Sequence, residues 1–224
     1  MFNKYFYKIY LFLLGITFLM IEASLYYIFI LAPVEETMGI IQKIFYFHVA
    51  SAWLSFFAFF IVFVSSIIFL WKKEKIWDII ARSSAEIGVI FCSIVLITGP
   101  IWARPIWNAW WSWDARLTTT LILWMIYMAY LFIRPFTENE IKGAKAAAVF
   151  GIIGFLDVPI VYMSIRWWRT IHPQAVLNSK SGGLDPVMLK TLFISIIGFT
   201  FLYLLVIILN ISMFLVKDEI ENRS

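Results

Sequence analysis

Between Ile101 and Arg116 the chain reads IWARPIWNAWWSWDAR, a set of residue types suited to holding something flat and apolar with a charged rim. Five of the eleven tryptophans stand there (Trp102, Trp107, Trp110, Trp111 and Trp113), ahead of Asp114 and Arg116. Indole faces stack on large planar ring systems and keep water from them. The competing reading is an aromatic belt, because tryptophan prefers the headgroup level of a bilayer. A belt accounts for scattered Trp53, Trp71, Trp77 and Trp124. It accounts poorly for five rings within twelve consecutive positions, so a stacking platform is the better reading.

The chain has two histidines, and both follow aromatic runs: Lys43-Ile-Phe-Tyr-Phe-His48 and Arg166-Trp-Trp-Arg-Thr-Ile-His172. Taken singly, each reads more simply as a hydrogen-bonded interfacial residue than as a ligand. Taken together, two neutral imidazoles can fill the two axial positions of a haem iron. The tryptophans would then pack against the porphyrin. Arg104, Arg116, Arg166 and Arg169, all set among tryptophans, are candidates for pairing with its propionates, since guanidinium forms bidentate charge-assisted bonds with carboxylates. Zinc fits less well, because two histidines without a nearby cysteine leave a closed site under-coordinated. Asp114 has a second, compatible role as N-cap of a helix beginning at Ala115, where its carboxylate would accept a free N–H of the first turn.

The elements that must position these residues are membrane helices. Hydrophobic residues make up 62% of 224 positions and charged ones 14%, against roughly 25% charged in a soluble domain. A bilayer core of about 30 Å needs around 20 mostly apolar residues per helix. Six segments reach that length, at Ile9–Ala32, Val49–Trp71, Ser84–Ile101, Leu117–Ile133, Lys145–Ile165 and Val187–Val216. The expected fold is therefore all-α, a polytopic integral membrane protein of six transmembrane helices forming one domain over residues 1–224. The Trp-rich segment 102–116 is expected as a loop on one face. The first segment is longer than a signal-peptide apolar core and lacks a convincing cleavage site, so it is expected as a retained helix.

Six crossings put both termini on one side. Eleven Lys and Arg fall on that side and seven opposite, which predicts both termini in the cytoplasm. The same topology gathers the Trp-rich stretch, His48 and His172 on the outer face. The net charge of +4 is spread through short loops, which suits topology and lipid contact and not nucleic-acid binding. A single cysteine, Cys92 in an apolar run, excludes an internal disulfide and CxxC-type attachment; it reads as a small packed residue. No Walker A sequence occurs, so the chain is not expected to hydrolyse ATP itself. Glu22 and Asp157 lie at membrane depth, where ionisable groups are functional candidates, and Pro159 is expected to kink the fifth helix.

The stretch GPIWARPIWNAWWSWDARLT resembles the "WWD" signature of membrane haem-handling proteins, and within that group the CcmC family of haem exporters of cytochrome c maturation. The similarity extends to Phe47-His48-Val49 at the start of the second helix and to Trp167-Trp168-Arg169-Thr170 ahead of His172. Two positions depart from the family pattern: Asn108 stands where glycine is usual, and Ala50 where proline is frequent. Asparagine tolerates the left-handed conformation glycine would supply, so the turn at Asn108 is expected to survive. The resemblance implies a carrier and not an enzyme, binding haem b non-covalently and transiently on the periplasmic face of the bacterial inner membrane. It implies His48 and His172 as axial ligands, with Trp107, Trp110, Trp111, Trp113 and Asp114 presenting the haem. It implies delivery to the haem chaperone CcmE, with CcmD and the ABC-type subunits CcmA and CcmB as partners. Two alternatives remain, a permease moving haem across the bilayer along Glu22 and Asp157, and a haem lyase or synthase component.

Overall fold

The computed structural model describes residues 4–137, 139–170, 172 and 184–221. Lys180 and Arg223, which enter the charge count above, lie outside the described residues. Six helices are long and apolar enough to cross a membrane, and there is no strand among the described residues. They are α1 (Lys4–Tyr26), α2 (Ile44–Lys72), α3 (Lys75–Trp107), α4 (Ala115–Phe132), α5 (Glu140–Trp167) and α6 (Pro186–Glu221). A π-helical turn, Tyr27–Leu31, prolongs α1, and a 3-10 turn, Ile40–Lys43, leads into α2.

Every expected segment is a helix, but two run well beyond their apolar stretches. α3 begins at Lys75 instead of Ser84 and continues past Pro100 and Pro105 to Trp107. Hydropathy stops at Asp78, Arg82 and Glu86, whereas the helix does not, because exposed or paired charges are tolerated on an end that leaves the bilayer. The two prolines are absorbed, as membrane helices allow when neighbouring groups replace the lost bonds. Trp102, Arg104 and Trp107 are therefore helical, and the outer segment expected as a loop over 102–116 is confined to Asn108–Asp114. α2 likewise starts at Ile44, ahead of the expected Val49, so His48 sits inside the helix and Ala50 is fully buried within it.

α2 is the central helix, packed against α3, α5 and α6, while α4 closes on α5 and α1 leans on α6. Helix association in lipid rests on close packing and interhelical hydrogen bonds rather than on a hydrophobic drive, and both are present. A Cβ on Gly154 would fall 2.9 Å from Ile126 Cγ2, and one on Gly88 2.6 Å from Phe59 Cε1, so these two glycines set the α5–α4 and α3–α2 spacings. Phe59 stacks on Tyr127 with centroids 3.7 Å apart, and the Tyr127 hydroxyl donates to the Gly151 carbonyl at 3.1 Å. Ser84 donates to the Ala58 carbonyl at 2.8 Å, which leaves its oxygen to accept from the Tyr203 hydroxyl at 2.7 Å. That pair of bonds joins α2, α3 and α6. Tyr203→Phe is expected to lower stability by about 0.6–1.7 kcal/mol, read as a shift in detergent unfolding.

One end of the bundle is closed by charges. Arg134 holds Asp78 through two bonds of 2.7 and 2.9 Å, and Lys75 pairs with Asp218 and, at 3.4 Å, with Glu140. The tryptophan-rich segment lies at the other end, between the close of α3 and the start of α4. Of the two carboxylates at membrane depth, Glu22 is exposed on α1, and Asp157 has one oxygen buried without a hydrogen-bond partner among the described residues.

Candidate functional site

Helical spacing builds one wall of the site before any long-range contact is considered. His48, Ala52 and Ser55 are four and three apart on α2, and Leu96, Gly99 and Ala103 are three and four apart on α3, so each set shares a face. These faces meet at the tryptophan end and enclose a cavity of about 850 Å³, counted to its open mouth. Its lining is mostly apolar and includes His48, His172, Arg116, Trp102, Trp107 and Trp111.

The two histidines come from elements far apart in sequence, α2 and the segment after α5, and face one space. His48 Nδ1 lies 2.9 Å from the Thr98 hydroxyl of α3, and its ring is edge-on to Trp102 with centroids 6.0 Å apart. His172 is held through its backbone: its N–H donates to Thr170 Oγ1 at 3.0 Å. The Thr170 hydroxyl in turn donates to Asp114 Oδ2 at 2.8 Å, while Asp114 Oδ1 accepts the Leu117 N–H at 2.9 Å. Asp114 is thus the N-cap of α4, as its position predicts, and also the anchor of the His172 segment.

The tryptophan stretch divides. Trp102, 8% exposed, is part of a buried cluster with Phe45, Tyr46 and Ile28, and together with Trp107 and Trp111 it forms cavity wall. Trp110 and Trp113 point outward, 60% and 76% exposed, beyond the cavity lining. Asn108 takes the left-handed conformation, φ 54° and ψ 26°, and ends α3, so it does serve the turn expected of a glycine there. The Arg104 guanidinium donates to its side-chain oxygen. Trp124, read above as a belt residue, instead donates from its indole to Ser93 at 2.8 Å and ties α4 to α3.

Of the four arginine candidates, Arg116 alone lines the cavity. Its Nη1 donates to the Val161 carbonyl at 2.9 Å, which fixes the guanidinium between α4 and α5. Arg104 and Arg169 are exposed, and Arg166 lies over the Tyr162 ring at 6.0 Å; none of the three is part of the wall. Neither Glu22 nor Asp157 lines the cavity.

The wall also carries unused donors. The indole N–H groups of Trp102 and Trp111 and the Ser112 hydroxyl are buried without a hydrogen-bond partner among the described residues. Buried polar groups are nearly always paired, so a ligand bearing acceptor oxygens would complete them. A planar apolar ring carrying carboxylates and a metal centre matches this donor set: rings against tryptophan, carboxylates toward Arg116 and the orphan donors, metal toward imidazole.

The profile of the Heme exporter protein C (CcmC) family matches residues 1–224, the full chain. The chain belongs to the CcmC family. Among its relatives, the Heme exporter protein C of Bradyrhizobium diazoefficiens is 36% identical over 174 residues, 77% of this chain and 66% of that protein. The Heme exporter protein C of Escherichia coli K12 is 34% identical over 172 residues, 76% of this chain and 69% of its own length. A cytochrome c biosynthesis ccmC-like mitochondrial protein of Marchantia polymorpha is 30% identical over 212 residues, 95% of this chain and 90% of that protein. Membership in the CcmC family gives this multi-pass membrane protein a role in haem handling for cytochrome c maturation.

Thr98 and Thr170 were not among the residues singled out from sequence. A faint signal exists for the first: Thr98 precedes Trp102 by four positions and so shares its helix face. Thr170 sits in the Trp-Trp-Arg-Thr run, and nothing local distinguishes it.

Proposed function

We propose that this chain binds haem b non-covalently in the cavity at the tryptophan end, with His48 and His172 as the two axial ligands, and passes it to the chaperone CcmE. The observation that carries the reading is the convergence of both histidines on one cavity walled by Trp102, Trp107 and Trp111 and carrying Arg116. Trp107 and Trp111 pack against the porphyrin faces or edges. Arg116 takes a propionate, with charge-assisted bonds that a lysine would not form bidentately. Trp110 and Trp113 stand outside the wall and form the exposed rim at which the chaperone meets the haem. The excess of Lys and Arg on the side of the termini supports cytoplasmic termini, with the cavity on the periplasmic face of a bacterial inner membrane.

The chain works as a carrier without bond-making chemistry of its own, alongside CcmD and the ABC-type subunits CcmA and CcmB, which supply ATP hydrolysis. Release requires one axial bond to let go, and the two histidines are unequally held. His48 is on a continuous helix, whereas His172 follows the end of α5, with its backbone N–H on the Thr170 hydroxyl that donates to Asp114. His172 is the exchangeable ligand. The decisive measurement is co-purification of this chain with CcmE, scored for haem on each. Bis-histidine haem on the chain, moving to CcmE on mixing, supports the proposal. A purified chain that takes up no haem, or takes it up equally well without both histidines, refutes it.

A further inference from the structure

We infer that Thr98 fixes His48 as the imidazole tautomer carrying its proton on Nδ1, which leaves the Nε2 lone pair for the haem iron. The consequence for haem rests on the function proposed above; the hydrogen-bond geometry does not. A threonine hydroxyl has one hydrogen and can accept through its oxygen. Thr98 Oγ1 lies 2.7 Å from the carbonyl of Ile94, four residues earlier on α3, and 3.5 Å from that of Val95. Carbonyl oxygens only accept, so the hydroxyl hydrogen is directed to them, in the back-bond common for threonine within helices. The same oxygen lies 2.9 Å from His48 Nδ1. With its hydrogen committed to Ile94, Thr98 can meet Nδ1 only as an acceptor, and Nδ1 must then be the N–H. In a neutral imidazole the other nitrogen is bare.

The surroundings keep that other edge usable. Gly99 is adjacent, and a Cβ placed there would stand 3.6 Å from His48 Cε1, the carbon between the two nitrogens. Trp102 presents to the ring edge-on and does not cover it. His48 is part of the cavity wall. The opposite tautomer would put the proton on Nε2, leave Thr98 donating to Nδ1, and withdraw the hydrogen from Ile94. A metal-binding histidine whose second nitrogen is held in this way has both its tautomer and its ring orientation set, and losing such a partner costs roughly 10–100-fold in metal affinity. Thr98 is a positioning residue: it acts on the haem through His48.

The test separates the tautomer from the haem. In a His172→Gln chain, uniformly labelled with ¹⁵N-histidine and free of haem, His48 gives the single imidazole signal, and its nitrogen shifts report which atom carries the proton. The Nδ1–H form is expected in this background and with Thr98→Ser added; Thr98→Val, similar in shape but without the oxygen, should lose it in favour of Nε2–H or a mixture. In chains retaining His172, Thr98→Val should raise the haem dissociation constant roughly 10–100-fold and alter the low-spin spectrum, with unfolding in detergent little changed and Thr98→Ser close to wild type. An Nε2–H signal with Thr98 intact overturns the inference. So does a Thr98→Val chain that weakens haem binding without changing the tautomer, because the residue would then act by packing alone. A chain showing the Nδ1–H form that binds no haem upholds the tautomer assignment and defeats the haem reading instead.

Discussion

His48→Ala is expected to weaken haem binding more than about 100-fold, beyond the loss of an outer-sphere partner, and to abolish the bis-histidine spectrum. The expectation follows from where the residue sits. His48 projects from a helix that is continuous from Ile44 to Lys72 and is braced from α3 by Thr98, so no neighbouring side chain can take its place without moving a buried helix. His172→Ala is expected to be milder, on the order of 10-fold, leaving a five-coordinate, high-spin haem still held by His48, the tryptophans and Arg116. Titration of purified apo-protein with haem, followed by absorbance and electron paramagnetic resonance, measures both. Added imidazole should restore the low-spin spectrum of His172→Ala more readily than that of His48→Ala, because His172 follows the end of α5 whereas His48 is fixed within α2. Equal losses, or the reverse order, would remove the distinction between a fixed and an exchangeable ligand.

Asp114→Ala is expected to act twice, and the two effects can be told apart. Its Oδ1 caps α4 at the Leu117 N–H, and its Oδ2 holds the Thr170 hydroxyl that supports the His172 backbone. Loss of the cap costs about 1 kcal/mol of stability. Loss of the second bond removes the support of the Thr170 hydroxyl beneath the His172 N–H and should weaken haem binding by up to the roughly 10-fold expected for His172→Ala, because it acts through that residue. Thr170→Val should reproduce the haem defect without the stability loss. Asp114→Asn should keep the cap through its amide oxygen while presenting an N–H₂ toward Thr170 in place of an acceptor. If Asp114→Ala destabilises the chain but Thr170→Val leaves haem binding intact, Asp114 is a helix cap only. Haem retention with failed transfer to CcmE would place it at the docking rim instead.

Much of this was local and therefore legible in the sequence. Six helices follow from the length of apolar runs, because backbone polar groups in lipid must bond within their own segment. The cap at Asp114 and the left-handed turn at Asn108 depend only on residues a few positions away, and both were readable. The pairing of His48 with His172 was suggested by their shared face of the membrane and by family resemblance, and the structure sets both on one cavity. What sequence could not settle depends on how each helix is rotated and tilted against its neighbours. Four arginines stood among tryptophans with equal claims, yet the turn of α4 brings Arg116 inward while Arg104, Arg166 and Arg169 remain outside the wall. The five tryptophans split into wall and rim because α3 runs six residues past Ile101 and carries Trp102 and Trp107 into the wall, Trp111 joins them from the segment before α4, and Trp110 and Trp113 stay outside. Thr98 is fifty positions from His48, and only the packing of α3 against α2 brings its oxygen to the imidazole.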